Sequence, residues 1–93
     1  MEKKLKAVAL KYEPEKIDSA PYIVSKGEGE FAERIIEIAK KHGVIIREDR
    51  ELVEFLSKLQ INEQVPPELY ELVSELLSFV YKLDEDRITL KNP

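Results

Sequence analysis

An unbroken apolar run near the amino terminus, Ala7-Val8-Ala9-Leu10 within Lys6 to Tyr12, constrains the fold most strongly. A strand that is apolar on both faces is usually covered on both faces, so the run predicts the central strand of a small sheet with helices packed around it. The alternative is a short buried helix. Glu13-Pro14 ends the run too early for that, because the residue before a proline disfavours helical backbone angles.

Composition narrows the class of protein. The chain has 93 residues, 43% of them hydrophobic, which predicts a single domain over residues 1–93 with a real core. A net charge of −4, without a basic cluster interleaved with aromatic residues, argues against a nucleic-acid partner. The absence of cysteine excludes disulfides and thiol chemistry. No stretch approaches the roughly 20 apolar residues of a membrane span, so we expect a cytoplasmic protein without membrane insertion. The abundance of Lys and Glu is typical of proteins from thermophiles.

Two further strands are predicted on either side of a helix. Tyr22 to Ser25 and Val44 to Ile46 have strand composition, and the helix between them begins at Glu28 and ends before Gly43. Its apolar stripe consists of Ala32, Ile35, Ile36 and Ala39, widened by Phe31 and Ile38. A strand-helix-strand unit of this length favours parallel pairing of the two strands with a right-handed crossover.

The carboxyl-terminal half predicts two more helices. Asp49 is placed to cap the first, in which Leu52, Val53, Leu56 and Leu59 recur at helical spacing. The second begins at Pro66-Pro67, runs to about Tyr81 and is apolar over more than half its circumference. Asp84 to Pro93 is predicted to be a frayed tail, although Arg87 to Lys91 alternates enough to pair weakly with something. The predicted fold is therefore α/β, a small central sheet of about three strands surrounded by three helices.

The residues offer little catalytic chemistry. His42 is the single histidine and lies beside a helix-ending glycine, where a capping or solvated role is expected. Lys26 to Glu30 follows a strand and opens a helix, as a phosphate loop would. Its two glutamates and its lack of a nucleotide loop's lysine and hydroxyl argue against phosphate binding. We predict no catalytic residue, no metal site and no cofactor, so a binding module is the default.

The order of several short segments resembles the cytoplasmic domain of the FlhB family, the switch proteins of flagellar export and related type III secretion systems. The resemblance covers Ala7 to about Leu83, nearly the whole chain, and lies in the ordered set of segments. These are Ala7 to Tyr12, Ser19 to Pro21, Val24 to Gly27, Ile36 to Ala39, His42 to Val44, Val65 to Tyr70 and Leu76 to Tyr81.

Two departures from the family pattern affect the expected function. The family's membrane-embedded half is missing, so the chain resembles a stand-alone relative that begins where the cleaved carboxyl fragment would begin. The family also cleaves itself at an Asn-Pro-Thr-His turn ahead of the first matched strand. Glu2-Lys3-Lys4-Leu5 stands there instead, and we expect an intact chain because glutamate does not readily follow the asparagine route. Asn92-Pro93 is interpreted as a chance dipeptide.

The resemblance also implies a docking site for export substrates. In the family, an apolar site is formed by an Ala-Pro connection and the last helix, and the matching positions are Ala20, Pro21, Ser74 and Leu77. Ser74 replaces a residue that is usually alanine, which places a hydroxyl in the site. The alternative is that Leu77 is ordinary core and Pro21 merely begins a strand.

The resemblance implies a second contact at the edge of the sheet. In the switch proteins, a strand ahead of the scissile turn pairs with the strand matched here by Lys6 to Tyr12, so Ala7, Ala9 and Lys11 would lie on an open edge. Charged residues could guard that edge, the Arg87 to Lys91 tail could fold back on it, or the amino-terminal fragment of a cleaved switch protein could add a strand.

Three functions remain open at the level of sequence. The first is a non-enzymatic component of flagellar export, in contact with the export gate or with rod and hook substrates. The second is a small-molecule or nucleotide-binding α/β domain unrelated to secretion. The third is a dedicated binder of the switch protein's amino-terminal fragment. Flagellar genes beside this one would exclude the second.

Overall fold

The computed structural model describes residues 4–12, 20–69, 72–73 and 87–92. Four strands and two helices occur in these ranges, with a short 3-10 turn at Pro67–Leu69. The strands are β1 (Lys6–Lys11), β2 (Tyr22–Glu28), β3 (Ile45–Glu48) and β4 (Arg87–Lys91), and the helices are α1 (Glu30–Lys41) and α2 (Arg50–Leu56). The α/β class is confirmed, with a larger sheet than predicted.

The strands form one mixed sheet in the order β2-β1-β4-β3. β1 is antiparallel to both of its neighbours, and β3 is parallel to β4. The prediction that the Lys6 to Tyr12 run forms a central strand is therefore confirmed. β2 and β3 point the same way, but the prediction that they pair is wrong, because β1 and β4 lie between them and place them at opposite edges of the sheet.

The carboxyl-terminal segment differs from the predicted frayed tail. Arg87–Lys91 does not fray but lies inside the sheet between β1 and β3, with Ile88, Thr89 and Leu90 buried. The alternation of Ile88 and Leu90 predicted weak pairing at most, because two apolar residues in a five-residue segment do not specify a buried interior strand. The segment gains its stability from neighbours far away in sequence, which donate and accept its backbone hydrogen bonds.

The main core lies on one face of the sheet. Val8 and Leu10 of β1 lie opposite Leu90 and Ile88 of β4, and α2 covers them. The buried members of this cluster are Val8, Leu10, Ile23, Leu52, Val53, Leu56, Val65, Val73, Ile88 and Leu90. Asp49 caps α2 as predicted, since its Oδ1 accepts a hydrogen bond of 3.1 Å from the backbone N–H of Leu52.

The opposite face of the sheet carries small residues and is covered by α1. Ala7 lies opposite Gly27 and Ala9 opposite Ser25, so alternate positions of β1 and β2 place small residues beneath the helix. A Cβ atom at Gly27 would come within 2.7 Å of the Phe31 Cβ atom. The missing side chain at Gly27 thus allows α1 to lie close to β2.

The last predicted helix, from Pro66-Pro67 to Tyr81, falls mostly outside the described residues. Its described part is the 3-10 turn, which begins at Pro67, and helical backbone at Leu72 and Val73. Val73 is buried in the main core. The prediction that a third helix completes the fold stays a prediction for the remaining residues.

Candidate protein-binding surfaces

The predicted open edge at Ala7, Ala9 and Lys11 is wrong, because β1 is paired on both sides. On one side these residues face Gly27, Ser25 and Tyr22 of β2, and on the other side they face Lys91, Thr89 and Arg87 of β4. The chain's own carboxyl-terminal strand, one of the three coverings considered, occupies the position. A strand from another protein could enter there only by displacing β4.

Asn92 links the end of β4 to the beginning of β1 through hydrogen bonds. Its side chain is 4% exposed. Its Oδ1 accepts a hydrogen bond of 2.6 Å from the Lys6 backbone N–H, and its Nδ2 donates one of 3.0 Å to the Lys4 carbonyl oxygen. A third bond, 3.2 Å long, runs from the Asn92 backbone N–H to the Lys6 carbonyl oxygen. Asn92, interpreted from the sequence as part of a chance dipeptide, therefore has a structural role.

Lys6 links three elements through its ammonium group. Its Nζ donates to the two carboxylate oxygens of Glu54 on α2 at 2.9 and 3.1 Å, and it lies 3.9 Å from Glu28 Oε1 at the end of β2. The hydrogen bond to Glu54 is the largest cause that raises the pKa of Lys6 above its ordinary value, with smaller contributions from the charges of Glu54 and Glu28.

Replacing Glu54 by Gln is expected to bring the pKa of Lys6 back toward its ordinary value of 10.5. Because the folded state raises this pKa, the pair stabilises the fold below pH 10.5 and loses that contribution as the pH rises through the raised value. Both side chains are partly exposed, so the effect on the free energy of unfolding is below about 1 kcal/mol. An NMR titration of Lys6 measures the shift. Glu51→Gln, on the same helix, is the control, and an equal change in both variants would contradict the assignment.

The structure places only part of the predicted docking site. Ala20 and Pro21 are buried, and Ala20 is 4% exposed. The Pro21 carbonyl oxygen accepts a hydrogen bond of 2.8 Å from the Val65 backbone N–H, so the segment before β2 is held against the connection after α2. Ser74 and Leu77 lie outside the described residues. Within the described ranges, the Ala-Pro connection offers little accessible apolar area.

A different apolar surface is open beside α1, and we call it the α1 groove. Its cavity is about 360 Å³, and Ala9, Ser25 and Thr89 contribute to its sheet side. Phe31, Ile35 and Ile38 line its helix side; Phe31 is 70% exposed and Ile38 51% exposed. The sequence analysis placed both residues at the margin of the apolar stripe of the helix, which they widen. The small residues of β1 and β2 were the signal that this stripe is wider than the sheet can cover.

The residues that the sequence analysis considered for catalysis or phosphate binding belong to ordinary secondary structure or its ends. Lys26 to Glu28 belongs to β2, not to a loop, and Gly29 makes the turn into α1 with a positive φ of 60°. His42 is exposed at the end of α1, where its backbone N–H donates to the Ile38 carbonyl oxygen at 3.1 Å. No group of three or more potential metal ligands occurs in the described part of the chain. Within the same part, no helix has the length and apolar character to cross a bilayer.

These features define a small mixed α/β domain, and the candidate sites in its described part are surfaces for protein contact. Residues 6–80 match the family model described as the FlhB HrpN YscU SpaS family, and the chain belongs to that family.

Relatives of two kinds share this domain. A Bacillus subtilis protein named YlqH is 52% identical over 80 residues, which cover 86% of this chain and 85% of YlqH. The flagellar biosynthetic protein FlhB of the same species is 46% identical over 77 residues, 82% of this chain and 21% of FlhB. FlhB of Salmonella typhimurium is 40% identical over 83 residues, 88% of this chain and 21% of FlhB. The chain thus spans about a fifth of the length of these FlhB relatives.

Proposed function

We propose that this protein is a component of flagellar type III protein export that acts through protein contacts. The observation that carries the proposal is the family match over residues 6–80, together with relatives named flagellar biosynthetic protein FlhB. The match includes the whole of α1 and α2 and three of the four strands, so it covers the scaffold and not an isolated motif. The placement of Lys26 to Glu28 within β2 removes the structural basis of the nucleotide-binding alternative.

The domain acts without catalysis in this proposal. His42 is exposed beyond the end of α1, and Glu54 and Glu28 are engaged with Lys6. The absence of the family's cleavage turn from Glu2 to Leu5 supports the same view. Its working location would be the cytoplasmic side of the export gate, reached by contact with other components.

The domain supplies the strand that closes its own sheet. β4 covers β1, and Asn92 holds the two strands together at the point where β1 begins. Pairing with the amino-terminal fragment of a switch protein is therefore not required to cover β1. Contacts with the export apparatus would use side-chain surfaces instead.

For export substrates, the proposed docking positions remain Ala20, Pro21, Ser74 and Leu77. Pro21 supports this role through a fixed backbone, since the Val65 N–H donates to its carbonyl oxygen. The burial of the Ala-Pro connection limits what it can offer directly, so most of the contact would come from the segment that carries Ser74 and Leu77. Rod and hook subunits are the proposed substrates.

Binding to purified rod and hook subunits is the test, measured by calorimetry with the intact chain. Ser74→Ala is expected to strengthen binding by about fivefold, since burying a hydroxyl against an apolar partner costs about 1 kcal/mol. Ser57→Ala, at the end of α2, is the matched control and should leave the affinity unchanged. The proposed docking site would be refuted if a folded chain bound the subunits equally well with and without the Ser74 hydroxyl. Failure to bind any rod, hook or export-apparatus protein would refute the proposed function.

A further inference from the structure

The α1 groove has more apolar surface than the described part of the chain covers. Val24, at the irregularity where β2 shifts its register against β1, is 36% exposed beside the groove, and Phe31 and Ile38 extend this surface along the helix. On the sheet side, Ala9, Ser25 and Thr89 are too small to reach these side chains. A contiguous apolar surface with a cavity of about 360 Å³ is typical of a contact site and not of solvated helix surface.

The charges around the α1 groove have one sign. Among the described residues that line it, Lys26, Arg34 and Arg87 are cationic and none is a carboxylate, although the whole chain carries a net charge of −4. The Lys26 ammonium group donates a hydrogen bond of 3.0 Å to the Ser57 carbonyl oxygen, so Arg34 is the main cation for a bound carboxylate. The carboxylates of α1, Glu30, Glu33 and Glu37, do not line the groove.

We propose that the α1 groove binds an acidic amphipathic segment of a partner protein. Two or three apolar side chains of the segment would fill the cavity between α1 and the sheet, with Phe31 packing against the outer side. Its carboxylates would lie near Arg34, where opposite charges favour encounter and fix the orientation. None of the groove residues is a predicted docking position for export substrates, so the α1 groove is separate from the Ala20 and Pro21 site.

A second copy of the same chain does not fit the groove as well. In a symmetric dimer through this surface, the Arg34 side chain and the other cations of one copy would approach the same cations of its partner. Like charges brought together without compensation oppose association. A segment that carries carboxylates satisfies both the apolar surface and the charge.

The test uses two synthetic peptides of about 14 residues, which is about four helical turns. Both carry leucine at positions i, i+3, i+4 and i+7, and the remaining positions are filled with glutamate in one peptide and with lysine in the other. The acidic peptide is expected to shift the backbone amide NMR signals of Ser25, Phe31, Ile38 and Thr89. It should bind at least about tenfold more tightly than the lysine peptide.

Two exposed phenylalanines provide a matched pair of variants. Phe31→Ala, in the groove, is expected to weaken the acidic peptide at least about tenfold, while Phe55→Ala, on α2 and 43% exposed, should leave binding unchanged. Arg34→Glu should reverse the preference between the two peptides. Equal binding of both peptides, or signal shifts centred on Phe55, would overturn the proposal. Self-association that depends on protein concentration and on Phe31 would also overturn it, in favour of a second copy.

Discussion

A chain shortened to end at Asp86 is expected not to fold. The deletion removes β4, an interior strand that bonds to β1 on one side and to β3 on the other. It also removes Ile88 and Leu90 from the core, where both are almost fully buried. Truncation of one buried leucine to alanine costs about 2–5 kcal/mol, and small domains are stable by only about 5–15 kcal/mol. Circular dichroism and urea unfolding measure the loss.

Further variants distinguish the effect of losing β4 from the effect of shortening the chain. Deletion of Pro93 alone should leave the unfolding midpoint unchanged, and Leu90→Ala should lower the free energy of unfolding by about 2–5 kcal/mol. A synthetic Arg87–Asn92 peptide added to the shortened chain is expected to restore part of the native signal. Cooperative, native-like unfolding of the shortened chain by itself would show that β4 is dispensable, as the frayed-tail expectation implies.

β1 and β4 show what local sequence determines in this fold. The run from Ala7 to Leu10 is apolar at every position, so burial on both faces can be predicted without knowing its neighbours. Asp49 and the helix signals around it are equally local, because a cap and its helix lie within a few residues. β4 instead depends on partners that lie about 40 and 80 residues earlier, and strand pairing at such distances has no signature in a five-residue segment.

The candidate surfaces also combine features that local sequence predicts with features that depend on residues far away in the chain. The resemblance identified Ala20 and Pro21 as docking positions, but their burial depends on the connection after α2, which packs against them through Val65. The apolar stripe of α1 was predicted correctly as a pattern. Which of its members the sheet would cover depends on the position of the helix over β2, and a single glycine sets that position.

Gly27→Ala is expected to destabilise the fold by about 1–3 kcal/mol, as overpacking of a close contact does. The new Cβ atom would lie 2.7 Å from the Phe31 Cβ atom, 3.1 Å from the Phe31 carbonyl carbon and 3.3 Å from the Ala32 backbone nitrogen. Two of these three atoms belong to the backbone of α1 and cannot rotate away. The helix as a whole must therefore move outward from β2, which would also widen the α1 groove. Urea unfolding measures the energetic cost.

Amide NMR signals show where the change acts. The signal shifts caused by Gly27→Ala should concentrate on α1 and the α1 groove. Lys6, which contacts Glu54 on the other face of the sheet, should keep its raised pKa. Ser25→Ala, in the same strand, is the control for adding or removing a small group on this face, and its expected cost is smaller. Since Gly27 itself has no positive φ, backbone strain does not account for the effect. An unchanged free energy of unfolding would mean that α1 has room to move, and the glycine would then not set its position.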